Sequence, residues 1–159
     1  MAAQRIPMTP AGRAIIEQEL HRLVGVERAK LRKALHEAMA LGDLSENSEY
    51  KAAKESQSKT EGRILELQAK IALAHVIDPS KLSGNKVVFG ATVHLTNLET
   101  DTVVIYQIVG DDEAGLSKGK VSCSGPIAQA LIGKTEGDIV VVKAPKGETE
   151  YEIKLIEFK

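Results

Sequence analysis

The sequence predicts an α+β protein in two parts: an N-terminal antiparallel coiled-coil hairpin of two α-helices, then a mostly antiparallel β domain with one short helix. Three observations predict it. Between Pro10 and Pro79 no proline interrupts the chain, and apolar residues recur every three or four positions. After Pro79 the period shortens to apolar runs of a few residues separated by glycine and other turn formers. The aromatic residues respect the same divide, with Tyr50 alone before residue 80 and Phe89, Tyr106, Tyr151 and Phe158 after it. The expected domains are residues 1–78 and 79–159, joined through a linker over 78–85.

The first helix is expected to start at Thr9, whose hydroxyl can cap free amide groups, with Pro10 at the first helical position, where a missing N–H costs nothing. Ile16, Leu20, Leu23, Val24, Leu31, Leu35, Ala38 and Leu41 then define one apolar face of a single long helix. The second helix is read from Tyr50, Ala53, Gln57, Thr60, Ile64, Leu67, Ile71 and Ala74, whose alternating steps of three and four are those of a coiled-coil seam. Gly42 to Glu46 is too short to let the two helices run parallel, so they fold back on each other. The seam is aliphatic at Ile64, Leu67 and Ile71 but polar at Gln57 and Thr60, which makes the turn end the weaker one. In the second half, residues 86–89, 92–95, 103–109, 138–143 and 151–158 read as strands, and 126–132 as a short helix ending near Gly133.

Composition excludes several classes of function. With 43% hydrophobic and 27% charged residues the chain is of the globular type, and 21 Lys and Arg against 22 Asp and Glu leave no overall basic field for tight independent DNA binding. No apolar run reaches the roughly 18 residues of a membrane span, and the first residues lack an apolar signal core, so no membrane partner is expected and the expected location is the cytoplasm. The single Cys123 has no intrachain disulfide partner. His21, His36, His75 and His94 lack the paired spacing of a zinc site.

The turn concentrates chemistry. It reads Gly42-Asp-Leu-Ser-Glu-Asn-Ser-Glu-Tyr, placing Asp43 and Glu46 where the helical rod ends. One reading is structural: Asp43 and Glu46 have the spacing of a capping box, and Ser45 is a second candidate for the cap. The other is that two carboxylates on a projecting tip complete a magnesium site in another molecule, since magnesium takes few carboxylates and keeps waters and phosphate oxygens. Behind the tip, Arg28, Lys30, Arg32 and Lys33 on the first helix face the region of Lys51, Lys54 and Lys59 on the second. This is either a solvated face balanced by Glu27, Glu37, Glu49 and Glu55 or a phosphate-contacting patch.

An ordered set of segments resembles the bacterial Gre transcript-cleavage factor family. It comprises Ile6-Pro-Met-Thr, the turn from Gly42 through Lys51-Ala-Ala-Lys-Glu-Ser-Gln, Glu61-Gly-Arg-Ile, Ala74-His-Val-Ile-Asp, Val88-Phe-Gly-Ala-Thr-Val, Ile108-Val-Gly-Asp-Asp-Glu-Ala, Pro126-Ile-Ala-Gln-Ala-Leu-Ile-Gly-Lys and Gly137-Asp. The resemblance implies a hairpin inserted in the secondary channel of RNA polymerase and a globular domain, similar to the FKBP fold, docked near the channel rim. It implies that Asp43 and Glu46 act in trans as catalytic tip acids. They would help hold the second magnesium of the polymerase active site, so that the polymerase hydrolyses the backtracked nascent transcript. Leu44 and Ser45 would shape the turn, and Arg28, Arg32, Lys33, Lys51 and Lys54 would contact the displaced RNA 3′ segment. Ser122, Ser124 and Pro126 match the docking segment, although the family often has an acidic or amide residue where Ser124 stands and a serine where Gly125 stands. By this reading the chain carries no cofactor of its own and is not an enzyme on its own. The alternatives are a channel regulator that does not promote cleavage and an FKBP-like prolyl isomerase or chaperone, the latter disfavoured by the few aromatic residues available to wall a pocket.

Overall fold

The computed structural model describes residues 4–42, 47–115 and 119–159. The chain forms two compact units: Ala14–Leu73 is one, and the residues before Ala14 together with Ala74–Lys159 make the other. The division therefore falls at 13/14 and 73/74 rather than at 78/79.

The chain opens with a short strand, β1 (Ile6–Met8), followed by helix α1 (Pro10–Arg22). The helix starts where the sequence places it: the Thr9 hydroxyl accepts the Gly12 N–H at 3.0 Å, and Pro10 is the first helical residue. It does not continue as one regular α-helix. Leu23–Glu27 form a π-turn in which the Arg28 N–H reaches the Leu23 carbonyl five residues back, and the rod then resumes as α2 (Arg28–Met39). Backbone angles at Arg22 and Arg28 stay helical, so the turn absorbs a residue without breaking the rod. The apolar spacing explains why. Ile16 to Leu23 and Leu31 to Ala38 are steps of seven, but Leu23 to Leu31 is a step of eight, and the π-turn takes up the extra residue. Leu23 and Ala38 are buried and Leu31 and Leu35 half-buried, whereas Val24 is turned to solvent. Leu41, expected on the apolar face, lies beyond the helix and is 66% exposed.

Helix α3 (Ser48–Leu73) spans about 39 Å at 1.5 Å per residue. Its seam from Tyr50 to Ile71 is buried or half-buried at every position, and Ile64 and Leu67 are sealed from solvent. Toward the turn only Ala53 is buried on this helix, so the apolar grip weakens there as the sequence implied. Two bidentate pairs staple the hairpin: Arg28 to Glu61 (2.8 and 2.8 Å) and Arg63 to Glu19 (2.8 and 2.9 Å). Hydrogen bonds from Arg63 hold the Glu19 carboxyl below its ordinary range.

The second unit begins with a strand the sequence reading missed. β2 (Ala74–Val76) runs parallel to β1 in the register Ile6↔Ala74 to Met8↔Val76, extended by the Ile77 N–H on the Met8 carbonyl at 2.8 Å. The expected linker is ordered structure: Pro79–Lys81 form a 3₁₀ turn capped by Asp78, and Pro79 is buried against Gly90, where a Cβ would come within 3.1 Å of its ring.

The main sheet holds β3 (Thr92–Asn97), β4 (Val103–Val109), β5 (Lys120–Ser122), β6 (Ile139–Ala144) and β7 (Gly147–Glu157) in the order β5-β4-β3-β7-β6. All neighbours are antiparallel except β4 and β5. Helix α4 (Pro126–Leu131) lies between β5 and β6 in the chain and contributes Ala128 and Leu131 to a core with Val87, Val93, Leu95, Ile108, Val140 and Ile153. Phe89 and Tyr106 pack against this core.

Residues 86–89 are not a strand. Lys86 makes a single bridge to Thr135, and the chain then turns through Gly90, whose φ is +89°. The segment is apolar because Val87 is a core residue rather than because it pairs in the sheet. β5 lies outside the strands read from the sequence, and Cys123 follows it in a turn with its N–H on the Val109 carbonyl. Burial, reinforced by the Asp111 charge, pushes its thiol pKa up. No helix among the described residues is long and apolar enough to cross a membrane.

Candidate functional site

The end of the hairpin is organised by Asn47. Its side-chain carbonyl accepts the Tyr50 N–H at 3.0 Å and its backbone carbonyl accepts the Lys51 N–H at 3.1 Å, which makes it the N-cap of α3. Its side-chain amide donates to the Ala38 carbonyl at 2.6 Å, tying the start of α3 to the last turn of α2. The Ala38 carbonyl also accepts the Leu41 N–H at 3.1 Å, and Gly42 follows with a φ of +119°, a conformation that glycine takes without strain. The sequence left the cap open between Asp43 and Ser45, and the residue that fills it is neither. Asp43, Leu44, Ser45 and Glu46 lie outside the described residues.

The basic residues divide. Arg28, Arg32, Gln57 and Glu61 line one hollow of the hairpin, and helical periodicity sets Lys54 and Lys51 on the same flank as Glu61. Lys33 falls away from this flank, pairing at 4.0 Å with Glu37, which lines a groove on the opposite side with Ala34, Glu49, Ala52 and Ser56. Arg28 is engaged by Glu61 through both carboxylate oxygens. Lys59 and Lys30 pair with Glu55 and Glu27 along their own helices. Arg32, Lys51 and Lys54 are exposed and make no ion pair with the described residues, and the Lys54 ammonium stands 6.0 Å from the centre of the Tyr50 ring. Of the five expected residues, these three are the exposed cations of this flank without an ion pair among the described residues.

In the other unit, Ser122, Ser124 and Pro126 come together at the start of α4. Pro126 is its first residue and Gly125 its N-cap, with no capping side chain. Both serine hydroxyls donate to one oxygen of Asp111, Ser124 at 2.9 Å, and the Ser124 N–H donates to the Ser122 hydroxyl at 3.2 Å. The acid absent at position 124 is supplied to this turn by Asp111, from the segment after β4. No signal local to residues 122–126 reveals that, because the partner is thirteen residues away from Ser124. Among the described residues no group of His, Cys, Asp and Glu is arranged to hold a metal ion.

Two family models cover the chain almost end to end, one described as transcription elongation factor, N-terminal, over residues 6–76 and one as transcription elongation factor, GreA/GreB, C-term, over residues 82–158. A protein named transcription elongation factor GreA from Anaeromyxobacter sp. (strain K) is 55% identical over 155 residues, covering 98% of this chain and 93% of the relative. The chain belongs to the GreA/GreB family. A second GreA, from Ralstonia nicotianae, is 53% identical over 154 residues, covering 96% of this chain and 98% of the relative. Among solved structures, GreA factor homolog 1 of Thermus thermophilus aligns over 97% of this chain and 99% of its own at 29% identity, with a TM-score of 0.43. In this GreA/GreB family member, the residues that sequence reasoning passed over are Asn47 and Asp111. The first had a signal, an Asn directly before a run of good helix formers, hidden behind two competing cap candidates.

Proposed function

We propose that this chain is a transcription elongation factor that binds RNA polymerase and stimulates the polymerase's own hydrolysis of a backtracked transcript. The observation that carries the reading is the hairpin end. Two carboxylates, Asp43 and Glu46, stand in the short connection between two helices, and the N-cap of α3 is Asn47. Two carboxylates are too few to build a magnesium site but suffice to complete one whose remaining ligands are waters, phosphate oxygens and the partner's own acids. Magnesium so placed stabilises the attacking and leaving oxygens of phosphodiester hydrolysis. The chain's part is to carry the two acids on a stapled rod and hold them, with Leu44 and Ser45 shaping the turn. The catalytic centre remains the polymerase's, and the chain is not an enzyme by itself.

Arg32, Lys51 and Lys54, with Arg28 behind them, form the flank that contacts phosphates of the displaced RNA 3′ end. Such contacts position the strand without reading its sequence. The β unit is read as similar to the FKBP fold and as the part that docks on polymerase through the turn at Ser122, Ser124 and Pro126, where Asp111 supplies the negative charge. Its mostly antiparallel sheet with one short helix supports that reading.

The test is transcript hydrolysis by stalled, backtracked polymerase. The wild-type chain accelerates it. Asp43→Ala or Glu46→Ala lowers the maximal rate by about 100-fold, at least as much as losing a supporting partner of a metal ligand, while competition for polymerase binding is retained. Rescue of stalled complexes by both variants at the wild-type rate would exclude the metal-ligand role.

A further inference from the structure

Glu113 is a carboxylate in the wrong place for ordinary stability. It is 2% exposed, and a buried charge costs free energy unless its oxygens are fully engaged. Here both are: the Thr9 hydroxyl donates to Oε1, and the Lys120 ammonium, at the start of β5, lies 2.6 Å from Oε2. Thr9 is also the N-cap of α1, so one hydroxyl donates to Glu113 while it accepts the Gly12 N–H. The backbone is shaped to permit this approach. A Cβ on Gly12 would lie 2.9 Å from Glu113 Oε1, and a Cβ on Gly110 would lie 2.8 Å from the Pro7 carbonyl oxygen. The turn that bears Glu113, closed by its own N–H and that of Ala114 on the Gly110 carbonyl, is therefore pressed onto residues 7–12 through two glycines. A buried ion pair is weak evidence for stability, because apolar replacement is often neutral or better. It does fix direction: the Thr9 hydroxyl donates to the carboxylate and accepts the Gly12 N–H at once.

We propose that Glu113 is a positioning residue, acting through Thr9 to hold the first turn of the helix that runs on into the hairpin, so that the tip acids are delivered in a reproducible place. The proposal rests on the functional reading above. A first turn that samples several positions spends less time with its far end in the productive one, which lowers the maximal rate rather than affinity.

The experiment uses the full chain with Thr9→Val, Thr9→Ser, Glu113→Ala, Glu113→Gln and the double variant Thr9→Val/Glu113→Ala. Amide hydrogen exchange reads the lock itself. Exchange at Gly12 and Arg13 should rise about fivefold, the factor a lost helix cap is worth, in Thr9→Val and Glu113→Ala. Thr9→Ser, which keeps the donor, should restore it, Glu113→Gln, which keeps one acceptor but turns an NH₂ group toward the Lys120 ammonium, should restore it in part, and α3 amides should not change. The double variant should be no worse than Glu113→Ala, since the two residues act as a unit. At saturating factor the maximal rate of transcript hydrolysis should fall about fivefold in the same two single variants, with the half-saturating concentration unchanged. Unchanged exchange at Gly12 in both Thr9→Val and Glu113→Ala overturns the lock. Faster exchange with an unchanged maximal rate, or with a loss confined to the half-saturating concentration, overturns the positioning role. Failure of the wild-type chain to accelerate hydrolysis removes the functional reading, while the exchange measurement still decides the lock.

Discussion

Asn47 uses both halves of its side-chain amide, and that dual use makes it the most consequential polar residue of the described hairpin end. The carbonyl caps α3 at Tyr50 and the NH₂ group reaches Ala38 across the turn. Asn47→Ala loses a cap and a cross-turn hydrogen bond together, an expected loss of about 1–3 kcal/mol of stability, measured by urea unfolding followed by circular dichroism. Asn47→Asp keeps the acceptor but loses the donor and sets a carboxylate against the Ala38 carbonyl, so it should fall between wild type and Asn47→Ala. An Asn47→Ala chain that unfolds with wild type would show that neither bond matters. Thr9 and Pro10 were legible because a helix start is written in neighbouring residues. Asn47 was not singled out because its deciding partner lies nine residues back, across a turn that only the folded hairpin closes.

At the scale of elements, the step of eight between Leu23 and Leu31 distinguishes the real rod from the regular helix that the apolar spacing suggested. A continuous α-helix through this point would rotate the later segment by about 100° and bring Lys30 and Ala34 toward the seam in place of Leu35. The π-turn instead keeps Leu31, Leu35 and Ala38 in phase and brings Arg28 opposite Glu61. Gly25 sits within that turn with open space around it. Deleting Gly25 restores a step of seven, so circular dichroism should show undiminished helicity and thermal melting at or slightly above wild type. The Arg28–Glu61 coupling in a double-mutant cycle should be retained. A large loss of stability would mean that the turn carries packing of its own. The seam of α3 was readable because its period is strict over many residues. β1, β2 and β5 are three residues each, too short to show any period, and they exist because a partner strand is present.

For the whole molecule, the discontinuous make-up of the β unit has a measurable consequence. β1 pairs with β2, the Met8 carbonyl accepts from Ile77, and Thr9 satisfies one oxygen of Glu113, so residues 6–9 contribute to a unit otherwise drawn from Ala74 onward. The change of periodicity near Pro79 shows in the sequence; this return of the N-terminus does not, because nothing in Ile6-Pro-Met-Thr specifies a parallel partner 68 residues later. A fragment of residues 74–159 leaves β2 unpaired and the Glu113 carboxylate with Lys120 alone. The lost β1–β2 pairing and the lost Thr9–Glu113 hydrogen bond together cost about 2 kcal/mol, which for a domain of this size is a fall of about 10 °C in melting temperature. Joining residues 4–13 to the fragment through a flexible linker should recover most of that fall, and the same joined fragment carrying Thr9→Val should recover less. Equal melting of the bare and joined fragments would show that the N-terminal strand rests on the sheet without stabilising it, and that Glu113 finds its hydrogen bonds elsewhere.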